Sequence, residues 1–152
     1  IIETLCTLYG EEIADDDKIY YAFPTPEKLA SLKCEDLAPL RAGYRDKYIL
    51  DAARKVSGGE VDLSRLDTME DAELKKTLMK IKGVGGKVAD CIMLFSLGRF
   101  SVFPKDVWIK RILNEVYDVE EKDADVFVEK KYGELAGFAQ QYLYYYFRTT
   151  KE

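Results

Sequence analysis

Between Leu78 and Asp90 the chain runs Leu-Met-Lys-Ile-Lys-Gly-Val-Gly-Gly-Lys-Val-Ala-Asp, a helix-compatible stretch, a glycine-rich turn and a second helix-compatible stretch. Glycines at 83, 85 and 86 let backbone amides approach an anion with no side chain in the way. Amides opening the next helix carry partial positive charge aimed at it. Lys87 falls in that first turn and is followed by a strongly apolar run. The helix dipole and partial desolvation both disfavour the ammonium form, and a neutral amine attacks carbon electrophiles and forms Schiff bases. Asp106, just past Phe103-Pro104, supplies a carboxylate able to support positive charge developing on a nearby carbon. Each feature also has a plainer reading: a tight turn between packed helices, a solvated or phosphate-contacting lysine, and an N-cap aspartate.

Composition narrows the chemistry. Histidine is absent from the 152 residues, which removes serine–histidine triads, histidine general bases and the usual zinc ligands. Cys6, Cys34 and Cys91 lie too far apart for a CxxC motif and are odd in number, so they read as reduced thiols. The net charge of −5 confines any nucleic-acid face to a local patch. No stretch reaches the roughly 20 apolar residues of a membrane helix, and no signal-peptide pattern opens the chain. The expectation is an intracellular protein, cytoplasmic or nucleoid-associated in a prokaryote and nuclear in a eukaryote. The opening Ile1-Ile2-Glu3-Thr4-Leu5-Cys6 reads as helix interior, so further sequence is expected before it.

The elements that must position these groups are helices. Thr25-Pro26-Glu27 is an N-terminal signature and predicts a helix to about Leu32. Apolar spacing of three and four predicts a helix over Tyr44–Val56, ended by a left-handed terminator at Gly58-Gly59. Further helices are expected at Glu70–Lys80, at Lys87–Leu97 as an almost wholly apolar, buried helix, and at Lys105–Val116, Ala124–Tyr132 and Glu134–Arg148. Nothing alternates long enough to predict a strand. The class is all-α, with Pro104 as a joint between two helical lobes.

The run GVGGKVADCIMLFSLGRFSVFPKDVW resembles the signature of the helix-hairpin-helix (HhH-GPD) DNA glycosylase superfamily, a hairpin, a Gly/Pro-rich loop and an aspartate. Within it the chain is most similar to 8-oxoguanine DNA glycosylases. FPTPEKLA, AGYRDKY and GELAGFAQQYLYYY resemble further family segments in the same order. The resemblance implies a lobe of about 16–103 bearing the hairpin at 70–97. A second lobe comprises 1–15 and 104–152, with the active site in the cleft between the two. The family's N-terminal β domain is absent.

It also implies roles. Lys87 matches the nucleophile that attacks the sugar's anomeric carbon, and Asp106 the motif's carboxylate. Tyr44 matches an aromatic wedge beside the vacated base and Arg45 the arginine facing the base left behind. Cys91 and Tyr144 match the residues sandwiching the flipped base, and Gln140 the amide reading its edge. Gly83, Gly85 and Gly86 match the DNA-gripping hairpin, and the backbone carbonyls of Met79, Ile81 and Val84 match ligands of a monovalent cation. Trp108 departs from the pattern, standing where the family carries a histidine that contacts the DNA backbone. The implied function is excision of 8-oxoguanine from damaged double-stranded DNA with associated abasic-site lyase activity. The alternatives are a monofunctional glycosylase for alkylated bases and a non-catalytic helix-hairpin-helix DNA-binding module. No organic or redox cofactor, zinc or iron–sulfur cluster is expected, and a monomer is.

Overall fold

The computed structural model describes residues 1–16 and 18–150. Its helices are α1 (Ile2–Tyr9), α2 (Pro26–Ala30), α3 (Asp46–Ser57), α4 (Asp71–Leu78), α5 (Gly86–Leu97), α6 (Val107–Tyr117), α7 (Ala124–Tyr132) and α8 (Ala136–Thr150). Short 3₁₀ turns at Cys34–Leu40, Gly43–Arg45 and Leu63–Thr68 link the earlier ones. The fold is all-α. Beyond helices and turns, its addition to the expected elements among the described residues is an antiparallel hairpin of β1 (Glu12–Asp15) and β2 (Lys18–Tyr21), in register from Glu12–Tyr21 to Asp15–Lys18. Every residue of both strands is exposed. With no buried face there is no alternating pattern, so period-two reasoning had nothing to detect.

The chain forms two compact units. The first joins Ile1–Arg65 to Lys80–Gly83; the second joins Leu66–Met79 to everything described from Val84 onward. These are not the expected boundaries of 16–103 against 1–15 with 104–152. The physical reason is the core: Leu5 of α1 is buried with Leu29, Leu37, Leu40 and Leu50, so the first helix packs with α2, α3 and the turn between them. α4 and α5 sit with the later helices.

In the first unit, Thr25 caps α2 by accepting the Lys28 N–H at 3.2 Å. The other end of α2 is tied to α3 by Arg54, whose guanidinium donates to the carbonyls of Ala30 and Leu32. α3 starts two residues later than its apolar spacing suggests, because Gly43–Arg45 is a separate turn; its left-handed residue is Gly59, not Gly58.

The second unit is built around Phe103, Ile109, Ile112, Leu113, Val128 and their neighbours. Tyr132 donates its hydroxyl to Tyr117 at 3.1 Å, and burial together with that contact pushes the Tyr132 phenol well above its ordinary range, keeping it neutral. α5 is not buried all round. Ala89, Asp90, Met93 and Leu94 face inward while Val88 and Phe95 are exposed, so the helix presents one stripe to the core. α8 crosses it closely at Gly137. A Cβ there would lie 2.3 Å from Leu94 Cδ1 and 3.0 and 3.1 Å from the carbonyl oxygens of Phe100 and Val102. The Gly137 N–H donates to Phe100 O at 2.7 Å. No helix of the described residues is long and apolar enough to cross a membrane.

Gly137→Ala is therefore expected to destabilise the protein by about 1–3 kcal/mol through overpacking against backbone, as measured by the urea unfolding midpoint.

Candidate active site

α4 and α5 are the two helices of the hairpin, and four contacts in the second unit hold them. Lys75 of α4 forms a 2.7 Å ion pair with Asp90 of α5, whose side chain is largely buried. Beyond α5, Arg99 donates to the carbonyls of Asp67 (2.8 Å) and Met69 (3.0 Å) and lies 3.6 Å from the Asp71 carboxylate, tying the far end of α5 to the start of α4.

The loop between them is held separately, within the first unit. The Asp51 carboxylate accepts the Lys82 N–H at 2.7 Å and the Lys55 amine donates to the Lys80 carbonyl at 2.5 Å. Gly83, at φ +88°, lies so close to the Tyr48 ring that an added Cβ would sit 2.4 Å from it. Both its backbone conformation and this approach demand glycine. Gly85 is the N-cap of α5 in extended conformation, makes no side-chain cap and has nothing within 4 Å of its Cβ direction. The first amides of α5 therefore have no side-chain partner from their own cap.

Lys87 is the second residue of α5 and is exposed. The desolvation expected from the apolar run does not reach it, because it stands on the first turn of α5, ahead of the buried Ala89, Asp90, Met93 and Leu94. Its amine makes no ion pair or hydrogen bond among the described residues. No acid lies between Glu73 and Asp90, while Lys75, Lys76, Lys80, Lys82 and Lys87 do, and Lys80, Lys82 and Lys87 are exposed. The hairpin of an acidic protein is thus rich in lysine along the chain.

Asp106 is the N-cap of α6. One carboxylate oxygen accepts the Ile109 N–H at 2.8 Å, and the other takes no donor among the described residues. Lys87, Asp106, Cys91, Gln140 and Tyr144 all belong to the second unit, and no hydrogen bond or ion pair joins Lys87 to Asp106. Cys91 is a free, half-buried thiol one turn before Leu94, and Gln140 lies one turn after Gly137, so each flanks the close crossing on its own helix. Gln140 is only 4% exposed, unusual for an amide, and its oxygen accepts from Gln141. Tyr144 is half-buried against the second core, with its hydroxyl accepting from Arg148 at 2.6 Å.

Tyr44, Arg45 and Gly83 belong to the first unit. Tyr44 is 71% exposed and meets Tyr48 edge-on; Arg45 is exposed with its Nε donating to Ala42 O at 3.1 Å. Trp108 is 45% exposed on the first turn of α6. Sequence reasoning missed Tyr48, Asp51, Lys55 and Asp90. Asp51 and Lys55 carry only the i, i+4 spacing of an ordinary surface pair, but Asp90, a charge inside an apolar run, was a usable signal.

A family model described as the HhH-GPD superfamily base excision DNA repair protein matches residues 1–137. The chain belongs to the HhH-GPD superfamily. Among solved structures it is similar to MBOgg1 in complex with a low-affinity DNA ligand (47% identity, TM-score 0.89, covering 99% of this chain and 53% of that one). It is also similar to Clostridium acetobutylicum 8-oxoguanine glycosylase/lyase bound to double-stranded DNA with cytosine opposite the lesion (40%, TM-score 0.85, 99% and 53%). A probable N-glycosylase/DNA lyase of Methanothermobacter thermautotrophicus is 32% identical over 94% of this chain and 53% of its own length. The chain thus spans about half the length of these relatives.

For an HhH-GPD protein the donor set is informative. Among the described residues no three His, Cys, Asp or Glu side chains cluster as metal ligands. Of the backbone oxygens in the hairpin loop, that of Lys80 is taken by Lys55, while those of Met79, Ile81 and Val84 accept no hydrogen bond among the described residues.

Because Asp106 caps α6 with one oxygen, Asp106→Ala is expected to lower stability by about 1 kcal/mol. Asp106→Asn keeps an acceptor oxygen and should stay within a few tenths of the parent; thermal unfolding of both variants measures the difference.

Proposed function

We propose that the protein is a base excision DNA glycosylase with abasic-site lyase activity acting on 8-oxoguanine in duplex DNA. The observation that carries this reading is Lys87, an exposed and unpaired amine on the first turn of α5, behind an open glycine cap and inside the basic hairpin. The named activities of the similar proteins agree with it.

In this reading the amides opening α5 and the hairpin lysines hold a DNA phosphate. Tyr44 enters the stack beside the lesion, Arg45 faces the base left behind, and the everted base is received by Cys91, Gln140 and Tyr144. Lys87, its ammonium proton given up to solvent, attacks the anomeric carbon while the bond to the base breaks. The bond's electron pair leaves with the base, which gains a proton as the nitrogen of Lys87 loses one. Asp106, fixed by its bond to the Ile109 N–H, supports positive charge on the sugar with its other oxygen. Ring opening leaves an imine between Lys87 and the sugar. Loss of a proton from the neighbouring carbon then expels the 3′ phosphate by β-elimination, and water releases Lys87. The free carbonyls of Met79, Ile81 and Val84 are hard oxygen donors that suit a monovalent cation, which would offset charge at the loop. The protein acts as a monomer in the compartment that holds the DNA.

Borohydride added during reaction with a duplex containing 8-oxoguanine is expected to trap a covalent protein–DNA adduct, and Lys87→Gln to abolish it. Asp106→Asn should slow excision on the order of a hundredfold with the fold retained. Binding of the duplex with every base left in place, or an adduct undiminished by Lys87→Gln, overturns the proposal.

A further inference from the structure

Tyr48, Asp51 and Lys55 lie three and four residues apart on α3 and so share one face of it. Each meets the hairpin loop at a different point: Tyr48 beneath Gly83, Asp51 at the Lys82 N–H, Lys55 at the Lys80 carbonyl. Tyr48 also meets the exposed Tyr44, with ring centroids 5.8 Å apart and planes at 72°, the edge-to-face geometry favoured between aromatic rings. All of these residues belong to the first unit.

A wedge that separates stacked bases needs a brace behind it, because a ring free to rotate recoils from the stack it pushes against. Tyr44 stands on a short turn after Gly43, and Tyr48 is its one aromatic contact among the described residues. The Tyr48 ring in turn is blocked on the side of Gly83, where even a methyl group would overlap it. The loop carrying Gly83 is pinned by two bonds back to the helix that carries Tyr48. Together, Tyr44, Tyr48, Gly83, Asp51 and Lys55 close a circuit of supports.

We infer that Tyr48 is a positioning residue that ties the Tyr44 wedge to the hairpin loop Lys80–Gly83, so that wedge and loop act as one rigid piece of the first unit. The inference rests on the glycosylase reading and adds to it the part that transmits force. It assigns the work to the Tyr48 ring, because the hydroxyl has no partner among the described residues.

The test compares Tyr48→Phe, Tyr48→Leu and Asp51→Ala by three readouts: affinity for undamaged duplex, extrusion followed by a fluorescent base analogue beside the lesion, and single-turnover excision. Tyr48→Phe is expected to match the parent. Tyr48→Leu should reduce extrusion and excision about tenfold, the scale of one aromatic pair with its packing, while duplex affinity changes much less. Asp51→Ala loosens the loop without touching either ring and should give the same selective loss, which covers the case of a poorly folded Tyr48→Leu. Extrusion and excision at parental levels in both variants overturn the inference. So does an equal loss of affinity and excision, or a Tyr48→Phe as impaired as Tyr48→Leu. A parent protein that binds duplex but extrudes nothing sinks the glycosylase reading, and the inference with it.

Discussion

The hairpin depends on how one short loop uses its backbone polar groups. Each amide and carbonyl in a turn must find a partner, and a loop that satisfied all of them internally would leave nothing to offer a phosphate. Here the partners come from α3. Asp51 takes the Lys82 N–H and Lys55 the Lys80 carbonyl, so the loop is held from behind while the amides opening α5 stay uncapped. A loop ordered in advance loses less conformational entropy when a ligand arrives.

In the proposed reading one carboxylate of the second unit serves both the fold and the chemistry. As the N-cap of α6, Asp106 uses a single oxygen, and the geometry that satisfies the helix also fixes where the remaining oxygen points. A capping role and a chemical role are therefore not rivals. The hairpin helices are secured by charge in the same economical way: Asp90 is buried but paired with Lys75, which meets the requirement that a charge removed from water have a partner.

Electrostatics reconcile an acidic chain with a nucleic-acid reading. The run from 74 to 89 contains lysines but no carboxylate, and of the acids that meet it in space Asp90 is paired with Lys75 and Asp51 is bonded to the Lys82 N–H. Field near a binding face is set by the charges within about a Debye length of it, roughly 10 Å at moderate salt, rather than by the total.

Helix existence and order were legible in the residues themselves, because Thr25-Pro26, the apolar spacing of α3 and the glycines around α5 are local signals of local structure. The hairpin, the place of Lys87 on the first turn of α5 and that of Asp106 at the start of α6 could be read the same way, from the glycines and proline beside them in the chain. The β hairpin was not legible, because strands exposed on both faces leave no alternation. Nor were the exposure of Lys87, the grouping of α1 with α2 and α3, or the brace through Tyr48, Asp51 and Lys55. Those are decided by which residues distant in sequence come together, and packing, unlike helical period, cannot be read from neighbours along the chain.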